Sequence, residues 1–239
     1  METYSADFEQ YLQFTHEKEH LLKIILETVN DKNVETVLDI GAGNGAISIP
    51  LSTHVKTLIA VERIPRFVQK LREAGLTTIE GIFPLVNVKG KFDLVLLSWS
   101  LNTSPEGFES FIKKAWEKVA PGGVLLIITY DDGGEWSHFM RELGLPLVDP
   151  NRLPFSILME YFHTLGRVQH VSYEIPANAP SAEELVHAFA FVASGGNMIL
   201  KEAFLARKEE AVALLNGRYS SRDGFSFPFR HEVIRIVKE

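Results

Sequence analysis

The sequence predicts an α/β fold built on a doubly wound, mostly parallel sheet, and three observations carry that prediction. The first is a strand that runs through a glycine turn towards a helix, Val37-Leu38-Asp39-Ile40-Gly41-Ala42-Gly43-Asn44-Gly45-Ala46-Ile47. The second is the alternation of short apolar strands with amphipathic helices from there to Thr129, which at these lengths builds a parallel sheet. The third is size: 239 residues, 46% of them hydrophobic, suffice for one large core.

The elements follow in order. Phe8 to Val29 reads as one or two amphipathic helices, with Leu22, Ile25, Leu26 and Val29 at helical spacing. Val37–Ile40 is a buried strand, and Ala46, Ile47 and Leu51 begin a helical pattern after the glycines. Thr57–Val61 is a second strand ending in Glu62. Pro65 starts a helix that Gly75 stops. Thr77–Glu80 and Phe92–Leu97 are the third and fourth strands, separated by an irregular stretch. Ser104-Pro105 opens a helix whose buried stripe is Phe108, Phe111, Ile112, Ala115 and Val119. Pro121-Gly122-Gly123 then feeds a fifth strand, Val124–Thr129.

After Tyr130 the pattern changes. Trp136, Phe139, Met140 and Leu143 predict a further helix, and Phe155–Leu165 another. Arg167–Ile175 alternates as a half-buried strand does. Ser181-Ala182-Glu183-Glu184 reads as a capping box. A helix over 199–215 and a last strand over 227–237 complete the chain. One domain spanning 1–239 is expected, divided into N-terminal helices (1–34), a core (35–145), a sixth strand with a helical cap (146–226) and the final strand (227–239).

The glycine turn places backbone N–H groups where a nucleotide-like ligand can press close to the main chain. Two ligands compete for it. Gly41-x-Gly43-x-x-Ala46 with Glu62 downstream satisfies a dinucleotide fingerprint. S-adenosylmethionine uses the same ribose logic without a pyrophosphate. Context separates them. Val37 to Gly45, with an aspartate before the first glycine, resembles the first motif of the class I S-adenosylmethionine-dependent methyltransferases. Phe92-Asp93-Leu94-Val95-Leu96 resembles that family's fourth strand, and Pro121-Gly122-Gly123-Val124-Leu125 the turn into its fifth.

The resemblance implies a seven-stranded sheet whose last strand is antiparallel, S-adenosylmethionine as cofactor and S-adenosylhomocysteine as product. It places Gly41, Ala42 and Gly43 against the methionine part, Asp39 near its ammonium group and Glu62 on the ribose. Arg63, Gly81, Ile82, Phe83, Ser98 and Trp99 fall at the other cofactor-facing positions. Where the family often carries an acid for the adenine amino group, this chain reads Gly81-Ile82-Phe83. Adenine is then expected to rest on apolar packing and backbone.

Composition narrows the acceptor. A net charge of -7 weighs against a nucleic-acid partner. Zero cysteines leave no disulfide, thiolate metal site or cysteine nucleophile, and no metal is expected. Apolar runs such as Val124–Ile128 are far short of the ~20 residues a membrane helix needs. With an N-terminus lacking an apolar signal region, a cytoplasmic protein is expected. Ser98-Trp99-Ser100-Leu101 lacks the Asn/Asp-Pro-Pro-aromatic signature of enzymes that methylate exocyclic base nitrogens. A small, partly apolar acceptor is expected, touched by Tyr11, Trp99, Tyr130 and Asp131.

Methyl transfer needs alignment rather than a triad, and the sequence assigns no catalytic residue. A general base, if used, is sought among Asp131, Asp132, His16, His20, His138, His163 and His170. Phe155, Tyr161, Phe162, Phe189, Phe191 and Phe204 resemble the helical cap of small-molecule methyltransferases, although such helices equally cover a sheet or make a homodimer. An NAD(P)-dependent oxidoreductase and a non-catalytic cofactor-binding protein of the same fold are the alternatives.

Overall fold

A computed structural model describes residues 2–130, 133–146, 152–194 and 198–239, with side chains from residue 7 onward. The chain divides into two compact units, one of residues 1–18, 131–152 and 173–231 and one of 19–130, 153–172 and 232–239. We call the second the sheet unit.

Its strands are β1 (Thr36–Ile40), β2 (Thr57–Glu62), β3 (Thr77–Glu80), β4 (Phe92–Ser98) and β5 (Val119–Thr129), with the later part of β8 (Gly224–Val237) and the start of β6 (Arg167–Ala179). The order is β3-β2-β1-β4-β5-β8-β6. β1 pairs in parallel with β2 and β4, and β8 runs antiparallel to β5 with Ile127 opposite Ile234. The expected seven strands are therefore present. A two-residue β7 (Ser220–Ser221) pairs with β8 off this path.

The central strands β1, β4 and β5 are apolar on both faces, as a sheet covered on both sides requires, whereas the edge strands β3 and β6 are polar and largely exposed. Leu38, Val95, Leu97, Leu125, Ile127, Ile234 and Ile236 share one core with Phe108, Phe111, Ile112 and Ala115 of α5 (Phe108–Lys118) and Leu158 and Phe162 of α7 (Phe155–Leu165). α4 (Pro65–Glu73) starts on its proline, buries Phe67, Val68 and Leu71, and stops at Gly75, whose φ of +84° suits a residue without Cβ.

At the amino ends of the strands, the Asp93 carboxylate accepts from Thr36 N–H (2.9 Å), Glu35 N–H (3.1 Å) and Thr36 Oγ1 (2.9 Å). Burial opposes its ionisation, but the bonds from Thr36 and Glu35 outweigh burial and hold the carboxyl below its usual range. A depressed carboxyl stabilises the fold above its ordinary value near pH 4 and loses that contribution as pH falls through the depressed one. Asp93→Ala is expected to lower stability by about 2 kcal/mol in urea denaturation at pH 7, by less at pH 3, and to leave cofactor affinity within twofold. A loss of affinity without a loss of stability would contradict this assignment.

The other unit holds α1 (Glu2–Tyr11), the first residues of α2 (Glu17–Lys32), α6 (Gly134–Glu142), α8 (Ala182–Ser194), α9 (Met198–Leu205) and α10 (Lys208–Arg218). Its core is aromatic: Trp136, Phe139, Phe189, Phe204, Phe227 and Phe229, with Phe189 and Phe227 centroids 4.9 Å apart. The N-cap bond of the expected capping box forms, with Glu184 N–H donating to Ser181 Oγ at 3.2 Å, and the Ser181 hydroxyl lies 3.3 Å from Glu184 Oε2.

β6 runs on to Ala179 and β8 starts at Gly224, both longer than the sequence reading, and four further boundaries differ from it. The helix after the glycine turn is only four residues, α3 (Ser48–Leu51), followed by a 3-10 turn over Ser52–His54. The hydroxyls of Ser52 and Thr53 donate back to Ile49 and Pro50 carbonyls, a local alternative that ends the helix. α5 begins at Phe108 rather than Ser104, because Ser104 O takes the Gly107 and Phe108 N–H groups in a turn. β5 runs through Pro121-Gly122-Gly123 instead of starting after it, with a register shift against β4 between Phe92 and Leu94. The helix expected over 199–215 breaks at Ala206-Arg207, which lets Phe204 on one side and Ala211 and Leu215 on the other enter the same aromatic core.

Candidate functional site

The carboxyl ends of β1, β2, β3 and β4 meet at the glycine turn. Gly41 (φ +79°), Gly43 (φ +58°) and Gly45 (φ +83°) all hold left-handed conformations that favour glycine. Their surroundings differ. A Cβ at Gly41 would collide with Ser100 Cβ, and one at Gly45 would lie 2.6 Å from Ile49 Cδ1 and 2.9 Å from Leu71 Cδ2. A Cβ at Gly43 would meet nothing within 4 Å among the described residues. Gly41 and Gly45 are thus glycines for packing, and Gly43 leaves the open side of the turn. Gly41 and Ala42 N–H donate to Val61 O at 2.8 and 3.1 Å, stitching the turn to β2.

Glu62 is 6% exposed, which excludes a solvated charge at the strand end. Its Oε2 accepts Gly43 N–H at 2.8 Å, and Oε1 accepts Arg63 and Ile64 N–H at 2.8 Å each. A carboxylate offers about four lone-pair directions. Three are taken by backbone, so Oε2 retains one for a ligand hydroxyl. Glu62 is therefore a clamp on the turn as well as an acceptor beside it, a role its spacing alone did not reveal. Asp39, 2% exposed, accepts the hydroxyl of Ser48 and braces the start of α3.

On the β3 side, Gly81 N–H donates to Glu62 O at 2.9 Å. Ile82 is 52% exposed, whereas Phe83 turns into the core edge-on to Phe111 with centroids 5.3 Å apart. Arg63 is exposed. Of these four residues, Ile82 offers a free apolar surface.

On the β4 side, Trp99 holds φ +59°, outside the usual range for a bulky residue, and its N–H donates to Ile128 O at 3.0 Å. Its ring stacks on Tyr130 after β5, centroids 5.2 Å apart and 29° between planes. Ser98 and Ser100 flank it.

Tyr11 lies in the other unit, 5% exposed, and its hydroxyl donates to Glu17 Oε2 at 2.8 Å. Lys18 Nζ stands 2.8 Å from Glu17 Oε1. Burial raises Glu17, but Lys18, His231 and the donated bonds outweigh it and bring its carboxyl below the usual value. Burial and Glu17 push the Tyr11 phenol well above its own. The depressed acid contributes stability above about pH 4.5 and loses it as pH falls; the raised phenol contributes below about pH 10 and loses it as pH rises. Tyr11→Phe is expected to cost about 1–2 kcal/mol at pH 7 by denaturant titration, with the difference shrinking outside that window. A difference that persists undiminished at pH 3 and pH 11 would refute this pairing.

Asp131 and Asp132 lie outside the described residues. His16, His20, His138 and His163 are exposed. His170 on β6 pairs with the fully buried Glu232, to which Ser172 also donates at 2.6 Å. β6 lies three strands from β4, about 14 Å at ordinary strand spacing, too far to take a proton at the end of β4. His231, 1% exposed and close enough to act on Glu17, escaped the sequence reading because nothing local marks it. Among the described residues, no three His, Cys, Asp or Glu side chains group to hold a metal ion.

Residues 11–155, more than half the chain, match a family model described as a methyltransferase domain. The chain belongs to that family. This methyltransferase is implied by the sequence resemblance to take S-adenosylmethionine as its methyl donor. It is 40% identical over 65 residues to the probable ribosomal RNA small subunit methyltransferase A of Methanosphaera stadtmanae, 26% of this chain and 24% of that protein. The chain thus spans about a quarter of that curated relative. The fold is similar to that of YcgJ from Bacillus subtilis (TM-score 0.61, 17% identity, 92% of this chain and 99% of that one). It is also similar to the N-methyltransferase NodS of Bradyrhizobium japonicum in complex with S-adenosylhomocysteine (TM-score 0.58, 13% identity, 99% and 98%).

The residues present fit the cofactor: an open face at Gly43, a buried carboxylate with one acceptor direction left, and an exposed apolar side chain at Ile82. No helix among the described residues is long and apolar enough to cross a membrane.

Proposed function

We propose that the methyltransferase acts on a small, partly apolar acceptor held at the carboxyl ends of β4 and β5. The observation that carries this reading is the Trp99–Tyr130 stack, an aromatic surface at the end of the sheet where parallel α/β folds take ligands. In this reading Glu62 keeps the glycine turn closed and receives one ribose hydroxyl. The turn Gly41-Ala42-Gly43 admits the methionine part against its backbone on the open side at Gly43, with Gly41 packed against Ser100, and Asp39 acts on its ammonium group through the turn. Ile82, with Gly81 beneath it, supports adenine.

When bound, S-adenosylmethionine supplies an electrophilic methyl group and a neutral thioether leaving group. The chain then has to hold the acceptor in line and keep water out, which rigid aromatic side chains do well. Trp99 and Tyr130 are assigned that task. Action on a diffusible small molecule rather than a polyanion accords with the charge of -7.

A ribosomal RNA acceptor is the second reading, favoured by the 65-residue match. The acidic balance opposes it, since binding a phosphate backbone needs clustered basic side chains. Methyl-labelled S-adenosylmethionine offered with a panel of small amines, phenols and carboxylates, and separately with small-subunit ribosomal RNA, tests the choice. Label is expected on a small molecule. Label on the RNA and on none of the panel would overturn the small-acceptor reading.

A further inference from the structure

Glu232 places a carboxylate in the interior of the sheet, on β8, and cofactor binding makes no use of it. Its side chain is fully buried. A buried carboxylate is tolerated only where partners replace the water it has lost. Here they come from β6: Ser172 Oγ donates to Glu232 Oε2 at 2.6 Å, and His170 Nε2 meets the same oxygen. A hydroxyl at that distance is typical of a bond to an ionised carboxylate. His170 and Ser172, two residues apart, share one face of their strand. The His170 ring also lies against Phe155 at the start of α7, centroids 5.5 Å apart.

The register gives this group a consequence for the acceptor surface. β5 and β8 run antiparallel, and Glu232 stands opposite Thr129 in the last pair of the ladder. Tyr130 leaves the sheet directly after that pair. Trp99 hangs on the same strand end, its N–H donating to Ile128 O at 3.0 Å and its ring stacked on Tyr130. Both rings thus take their position from the last two residues of β5, and the last of these is paired with Glu232.

Removing a β6 partner leaves a buried charge with less to balance it, and the fold must then protonate the carboxylate or admit water. Water enters where the ladder ends, at the Thr129–Glu232 pair. The strand end loosens there, and Tyr130 with it. Alignment for a reaction tolerates little displacement, even when its cause lies far from the chemistry.

We propose that His170, together with Ser172, is a positioning residue: by holding the Glu232 carboxylate at the end of the β5–β8 ladder, it fixes Tyr130 in its stack on Trp99. His170 takes no proton at β4 and acts on the aromatic surface only through Glu232 and Thr129. What that surface holds rests on the small-acceptor reading above; the coupling to it does not.

The test is fluorine NMR on protein labelled with 5-fluorotryptophan. The three tryptophans, Trp99, Trp116 and Trp136, give one signal each, and Trp99→Phe assigns the first. His170→Ala is expected to shift and broaden the Trp99 signal and to leave those of Trp116 and Trp136 in place. His170→Gln, whose amide still donates to Glu232, is expected to keep the wild-type Trp99 signal. Ser172→Ala is expected to move the same signal by less, and it decides the matter should His170→Ala not fold. An unmoved Trp99 signal, equal displacement of all three signals, or no recovery in His170→Gln would each overturn the inference. The spectrum needs no acceptor, so its failure leaves the small-acceptor reading standing. Methyl label on RNA alone would remove that reading and leave the coupling intact.

Discussion

Glu62→Ala is expected to weaken S-adenosylhomocysteine binding by roughly a hundredfold or more and to lower stability at the same time. Two losses combine. The variant gives up the ligand hydroxyl's acceptor, and it releases three backbone donors at Gly43, Arg63 and Ile64 that the carboxylate now satisfies at 2.8 Å. Arg63 is exposed and its N–H can turn to water, but Ile64 is 8% exposed and its N–H cannot do so freely. The stability cost is therefore expected at about 2–4 kcal/mol, a large share of the 5–15 kcal/mol typical of a domain. Glu62→Gln separates shape from charge: its amide nitrogen cannot accept, so one side must face a backbone donor with another donor. Affinity and denaturant midpoint should fall for both variants. Unchanged affinity in Glu62→Ala would remove Glu62 from the site.

Substitutions at Gly41 and Gly43 are expected to fail in different ways. Gly41→Ala requires a Cβ at φ +79° and drives it into Ser100. Left-handed strain of about 1–2 kcal/mol and overpacking of about 1–3 kcal/mol together predict a clear drop in melting temperature, with cofactor binding lost. Gly43→Ala has room for its methyl group and pays only the strain of φ +58°. It should remain folded with a modest loss, of about 1–2 kcal/mol, while binding falls by at least tenfold, because the methyl group projects into the face the ligand approaches. Thermal melts and calorimetry on the two variants read both quantities. A Gly43→Ala protein that binds as the wild type would show that the open side of the turn is not the ligand's side.

Much of the sheet was legible because parallel strands buried on both faces are written as continuous apolar runs. Leu58–Val61 and Leu94–Leu97 are such runs, Val37–Ile40 is broken only by Asp39, and each is followed by a glycine or polar residue where the site begins. Element edges were harder to read, since they depend on local competition. Ser52 and Thr53 cut α3 short by bonding back to the chain, and Ser104 holds the residues before α5 in a turn.

Within the site, sequence spacing found Glu62 but not its hold on Gly43, nineteen residues away in the chain, because that bond exists only once β1 and β2 pair. The left-handed backbone of Trp99 has no signal in its side chain. The aromatic helices read as one cap divide between two cores: Phe155, Tyr161 and Phe162 join the sheet unit, and Phe189 and Phe204 pack with Trp136. Residue type announces that an aromatic is buried; the topology decides against what.

The central claim is that the glycine turn receives S-adenosylmethionine rather than a dinucleotide. Calorimetric titration of the wild-type protein with S-adenosylhomocysteine and, separately, with NADH tests it most directly. Saturable one-to-one binding of S-adenosylhomocysteine, lost in Glu62→Ala, with no heat from NADH, is the predicted result. Saturable binding of NADH without any response to S-adenosylhomocysteine would contradict it.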